Sequence, residues 1–173
     1  MEHLTTDIIT RLGDKNPWLN SVAENYGQLT RMSDGAGDTY PVISPAALVD
    51  VQGIEWQTMG GGDQKGRATV VVTLAIDCYD DAPSLPARAD EWEREAQASA
   101  QREKMLDDIS QTLHQWAPPS AAGILTRQST RPYALPHGWK AYEVTLTCPV
   151  WSRSKPEATT ATTDGVLPLS VYD

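Results

Sequence analysis

Catalysis near neutral pH needs a nucleophile, a base or a set of metal ligands, and few residues of this 173-residue chain could serve. The histidines are His3, His114 and His137, and the cysteines are Cys78 and Cys148. No G-x-S-x-G turn presents a serine. His114 falls between Leu113 and Gln115 at the edge of an apolar helical stripe, and His137 sits in a Pro-Gly turn. Nothing in the spacing orients His137 toward Cys148, so a thiolate–imidazole pair has no local support. Scattered histidines without a C-x-x-C pattern also argue against zinc. Asp77, Asp80 and Asp81 close a strand and could hold a magnesium ion, while Asp107-Asp108 lies on a helix. Glu103 and Glu143 have no strand lysine beside them to complete a nuclease pattern. The plain reading of these carboxylates is solvated charge.

The glycine stretch Met59 to Gly66 is the remaining candidate. Gly61 and Gly66 have the G-x-x-x-x-G spacing of a phosphate loop, but Arg67-Ala68 replace the lysine and hydroxyl residue that reach phosphate and magnesium. The stretch also runs into a strand, not into a helix N-terminus that could receive an anion. It reads as a mobile hairpin tip without an apolar anchor after Met59. The expectation is a chain with no catalytic residue, no metal and no cofactor.

The elements around these residues are clearer. GRATVVVTLAIDCYDD, from Gly66 to Asp81, alternates Val70, Val72, Leu74, Ile76 and Cys78 against Thr69, Thr73, Asp77 and Tyr79. That period of two, with β-branched side chains, marks a long half-buried antiparallel strand. A partner strand is expected from about Ala46 to Gln57, entered past Pro41 and Pro45, with Gly53 as a bulge. Another runs from Lys140 to Trp151, alternating Tyr142, Val144, Leu146 and Cys148 against Glu143, Thr145 and Thr147. Ile124 to Thr130 suggests one more strand, followed by the turn-rich RPYALPHGW. Leu4, Ile8, Ile9 and Leu12 predict a short helix over 3–12, capped by Thr5 or Thr6 and ended at Gly13-Asp14. Trp18 to Val22 reads as a further turn of helix or a docking segment, and Asn25 to Asp38 as loop.

After a crossover with two prolines, a long helix is expected from about Asp90 to Trp116, stopped by Pro118-Pro119. Its stripe Met105, Leu106, Ile109, Leu113 and Trp116 should lie across the sheet, while its first half is polar enough to face solvent or another subunit. The fold expected is α+β: a mostly antiparallel sheet, one long helix on one face and a short N-terminal helix. Residues 1–151 form the domain. Residues 152–173 form a low-complexity extension with an apolar end, VLPLSVYD.

Bulk properties limit the partners. A formal charge of −9 and no Phe, with six Trp and six Tyr, leave a core of Val, Ile, Leu and Ala and no general attraction to nucleic acid or anionic lipid. Arg127, Arg131, Lys140, Arg153 and Lys155 gather late in the chain, the one place for a local basic patch. The first twenty residues lack the basic start and apolar run of a signal peptide, and nothing approaches the ~20 apolar residues of a membrane span. The chain is therefore expected to be soluble and made in a cytoplasm, with both cysteines as buried thiols.

YPVISPAALVDVQ, RATVVVTLAIDCYDD, EKMLDDISQTLHQWA and WKAYEVTLTCPVW, covering Pro41 to Trp151, resemble the tail terminator and tail completion proteins of long-tailed bacteriophages. That group includes the minor tail protein U of lambda-like phages. The resemblance implies a non-enzymatic hexameric ring that caps the tail tube, stops its elongation and joins it to the head connector. It further implies that DNA passes through without specific binding, and that the protein moves from the bacterial host cytoplasm into the virion tail. The alternative is a head–tail neck or completion adaptor, or another non-catalytic α+β binding module of a mobile element. Strand ends left uncovered and apolar side chains without a core to join mark Trp56, Met59, Gly61, Trp92, Trp151, Leu167 and Leu169 as candidate subunit or partner contacts.

Overall fold

The alternating stretch predicted to be central forms the middle of a five-stranded sheet in the computed structural model, which describes residues 3–33, 42–78, 89–136 and 138–153. In chain order the elements are α1 (Leu4–Lys15), β1 (Ser21–Glu24), α2 (Gln28–Ser33), β2 (Ala46–Thr58), β3 (Gln64–Asp77), α3 (Ala89–Leu113), β4 (Thr126–Leu135) and β5 (Trp139–Ser152). The sheet order is β1-β2-β3-β5-β4, antiparallel throughout except for the parallel β1–β2 pair. The fold is α+β, with a long helix and a short N-terminal helix, as the sequence indicates.

Side-chain alternation sorts the sheet into two faces. Ala47 and Val49 of β2, Val70, Val72 and Leu74 of β3, and Val144, Leu146 and Cys148 of β5 turn to one side. There they meet Leu4, Ile8 and Leu12 of α1 and Ile109 and Leu113 of α3 in one buried cluster, with Met105, Leu106 and Trp116 packed at its margin. Polar contacts then fix α1 against α3 and the segment after it. Asn16, buried, donates its amide to Leu12 O and Thr112 Oγ1, each at 3.2 Å. Ser120 donates its N–H (2.9 Å) and its hydroxyl (2.5 Å) to Asp7 Oδ2, and the Arg11 guanidinium stacks 5.3 Å from the Trp116 ring. On the other face a smaller cluster of Leu29, Leu48 and Ala75, joined by Val42, Leu135 and Trp139, covers one end only.

Several boundaries depart from the sequence reading. α1 continues through Gly13 to Lys15, and its N-cap is His3 with no side-chain capping bond, not Thr5 or Thr6. Trp18 and Leu19 do pack on the core, but the following residues Ser21–Glu24 form a strand, and Gln28–Ser33 a helix, within stretches read as docking turn and loop. β4 crosses Pro132 and runs to Leu135, past the expected turn. α3 ends at Leu113, three residues early, where Gln115 takes a positive φ of 63°. The glycine connection is shorter than expected, because β3 begins at Gln64 and includes Gly66. A side chain at Gly66 would meet Ile54 Cγ2 and Trp56 Cε3 at 2.7 Å, so glycine here lets the Trp56 ring lie over the neighbouring strand. The two prolonged strands, with the end of β5 beside them, make an arm: from Gln52 to Gly62 every residue but Ile54 is exposed.

Candidate assembly surface

The residues with chemical potential are dispersed. Cys148 stands opposite Ala68, and Cys78 lies past the Asp77–Trp139 pair at the other end of β3. At about 3.3 Å per residue the two thiols are roughly 30 Å apart along the strand, and neither forms a disulfide. β4 ends at Leu135 opposite Trp139, at the end of β5 distant from Cys148; His137 lies outside the described residues. His114 Nδ1 accepts the backbone N–H of Arg127 at 3.2 Å, which ties the end of α3 to the start of β4. Asp108 is paired with Lys104 at 2.8 Å, Asp77 is exposed, and Asp80 and Asp81 are outside the described residues. Among the described residues no group of three or more His, Cys, Asp or Glu could hold a metal ion. Burial pushes the Tyr142 phenol up, against the opposite pull of Arg102.

Cys148 has a definite electrostatic character. Its Sγ lies 3.5 Å from Gly123 O, and burial pushes the thiol from its ordinary 9.0 up to about 11. A neutral thiol in an apolar setting is a poor nucleophile. Because the folded value is raised, the protonated form is favoured by folding. The associated stability is complete below about pH 9 and is lost as pH climbs toward about 11. Alkylation at pH 8 is expected to leave Cys148 unmodified in the folded chain and to reach it at least about a hundredfold faster in denaturant. Mass spectrometry of peptides from both conditions measures this, and equal rates would contradict the buried thiol.

The Gly60–Gly62 turn closes the β2–β3 hairpin with Gly61 and Gly62 at φ of 84° and 86°, and Met59 donates its N–H to Asp63 O at 2.8 Å. It joins strand to strand and offers no helix terminus to an anion. What the arm does present is aromatic and apolar surface. Trp56 is 37% exposed, Met59 46% and Trp151 48%. Trp56 turns to the helix side over Gly66, whereas Trp151 pairs with Lys65 on the opposite face. The arm thus carries four of the seven expected contact residues, Gly61 included. Trp92 is exposed on α3, on a separate part of the molecule, and Leu167 and Leu169 lie outside the described residues.

The face away from the helices, beyond the Leu29 cluster, is polar. Its rows carry Asp50, Thr145 and Ser129 around the buried Val71, then Thr69 and Thr147, then Glu55, Arg67 and Pro149. An open trough of about 600 Å³ follows the arm, with Glu55, Gln57, Lys65, Arg67, Gln128 and Thr147 among its lining. Arg131 bonds Glu143 through Nε at 3.1 Å and Nη2 at 2.8 Å across this face. Sequence reasoning missed this surface, since the Thr-rich alternation of β5 marks one polar face without saying that most of it stays uncovered. The late basic group does not form one patch: Arg131 is engaged with Glu143, Lys140 alternates to the helix side with Tyr142, and Lys155 is outside the described residues.

No helix among the described residues is long and apolar enough to cross a membrane. No family model matches the chain, and no curated protein matches it. Among solved structures, a chain from the "Virion of native gene transfer agent (GTA) particle" is similar in fold, with a TM-score of 0.53 and 8% sequence identity, over 86% of this chain and 95% of that one. At that identity the likeness is one of fold.

Proposed function

We propose that this chain is a structural protein of a phage-type virion, and more narrowly a ring-forming tail protein that caps the tail tube, stops its growth and meets the head connector. The observation that carries the reading is the fold likeness to a virion chain, which extends over nearly the whole of both chains. The arm supports it from the physical side. A thin extension that leaves Met59 and Trp151 about half exposed gives them no core of their own to join, and such surface is characteristic of an interface between subunits. Contacts made by an arm of one copy on a different surface of the next are heterologous and close into a ring when the rotation allows.

The uncovered sheet face suits a wall past which DNA slides. Lys65, Arg67 and Arg131 are offset there by Asp50, Glu55 and Glu143. A wall without excess positive charge neutralises few phosphates and holds DNA weakly. The partners on this reading are further copies of the chain, the tail tube and the head connector. Sedimentation over a range of concentrations, then electron micrographs with purified tail tubes, tests the proposal. Rings that sit on tube ends and limit tube length are expected. A protein that stays monomeric at high concentration and ignores tube ends is not a tail terminator.

A further inference from the structure

The edges of the sheet are unequal. β4 is blunted: Pro132 lacks a donor, a bulge interrupts the register between Arg127 and Ser129, and the Arg127 N–H is taken by His114. On the other side β1 is short and covers only Ala46–Val49 of β2. Beyond it no described strand lies beside residues 51–58. The hairpin fixes which way their backbone groups point. Met59 donates its N–H to Asp63 O, so Gln57 and Glu55 also bond inward to β3, while Ile54, Trp56 and Thr58 turn their N–H and C=O groups outward. No described residue takes these groups up.

We propose that this edge pairs with the same edge of a second copy, antiparallel about a two-fold axis at Trp56. An axis normal to the sheet keeps each face, which limits the registers to a few. Centring on Ile54 drives the hairpin tip against Ala46–Val49, which β1 already holds. Centring on Glu55 sets two carboxylates opposite each other in a close, non-hydrogen-bonded pair. Centring on Trp56 does neither. Trp56 then bonds to Trp56 and Ile54 to Thr58, so every outward N–H and C=O of 54–58 finds a partner. On the face away from the helices Glu55 meets Gln57 of the second copy. Glu55 has Arg67 on one side and, beyond that Gln57, Lys65 of the second copy on the other. Met59 falls opposite Gly53, where open space receives a side chain that is otherwise about half exposed. The tip of each arm stops there, short of the other copy's β1. The contact is isologous and closes at two copies, which removes an edge that would otherwise template further strands. It uses the rim of the arm, not the Trp151 face, and so goes beyond the tail reading.

Two measurements on the full-length chain test this. Chains with Glu55→Cys and chains with Gln57→Cys, each also carrying Cys78→Ser, are mixed equally and oxidised. Positions 55 and 57 of facing copies have Cα atoms about 4.5 Å apart, within the span of a disulfide, whereas 55–55 and 57–57 are offset along the strands beyond it. The mixed bond is expected to exceed both like bonds at least about fivefold, read by mass after non-reducing digestion. Equal yields of all three, or no bond, overturn the pairing. Thr58→Pro in both chains removes an outward donor without touching the β2–β3 ladder, and should lower the mixed yield at least about tenfold. An unchanged yield also overturns it. Mass and tube micrographs of the parent chain score the tail reading separately: a mixed bond without rings keeps the pairing, and rings without a mixed bond remove it.

Discussion

Leu74→Ala is expected to lower the unfolding free energy by about 2–5 kcal/mol, toward the upper end of that range. Leu74 is fully buried on β3, the central strand, opposite Ala47 on β2 and Tyr142 on β5. Strands on both sides are held by their ladders, so the neighbours at either flank cannot close over a vacancy. The helix layer is tied together too, through Asn16 to Thr112 and Asp7 to Ser120, so neither helix can settle onto the sheet by itself without breaking those bonds. A residual cavity is therefore the expected outcome, and its cost adds to the lost transfer free energy of the removed atoms. Typical domains have about 5–15 kcal/mol in total, so the variant should melt far below the parent. Urea titration measures the loss. A decrease under about 1 kcal/mol would mean that the helix layer moves freely over the sheet, contrary to the described packing.

Much of this core could be read directly from residue order, because its strands alternate cleanly. Val70, Val72, Leu74 and Ile76 were assignable to one face without knowledge of their partners, as were Tyr142, Val144, Leu146 and Cys148, and both sets turn to the helices. The bulge near Gly53 was equally legible, since a glycine breaks an otherwise regular alternation there. The stripe from Met105 to Trp116 identified the packed part of α3 for the same reason.

What escaped was decided by tertiary context. β1 is four residues long and pairs in parallel with β2, and so short a run carries no period of its own. α2 is six residues long, with Leu29 in the smaller cluster, too short for a helical pattern. Pro132 suggested a turn, yet at the outer strand it costs no ladder bond and β4 continues through it. Gly66 looked like loop; the reason for a glycine there is the Trp56 ring across the strand, a contact invisible to local sequence. The candidate surface follows the same division. Trp56, Met59 and Trp151 could be singled out as apolar residues at strand ends, but their gathering on one arm depends on the Gln64–Ser152 pairing.

The variant Met59→Ser with Trp151→Ser is expected to weaken subunit association by at least about a hundredfold, while the melting temperature moves by no more than a few degrees. The separation follows from where these side chains sit. Both are about half exposed in the single chain, Met59 next to the tip and Trp151 on the face of the arm away from the helices. Truncating them removes little buried area within a subunit, so the fold loses little. A tryptophan at the centre of an interface commonly contributes about 2 kcal/mol or more, and about 1.4 kcal/mol is a factor of ten in affinity. Trp56 is left intact in this variant, because it packs over Gly66 and its loss would disturb the hairpin itself. Sedimentation equilibrium of parent and variant gives the association constants, and circular dichroism on the same samples gives the melting temperatures. Unchanged association with unchanged melting would remove the arm from the subunit interface. Lost association accompanied by a large fall in melting temperature would show instead that these side chains serve the fold.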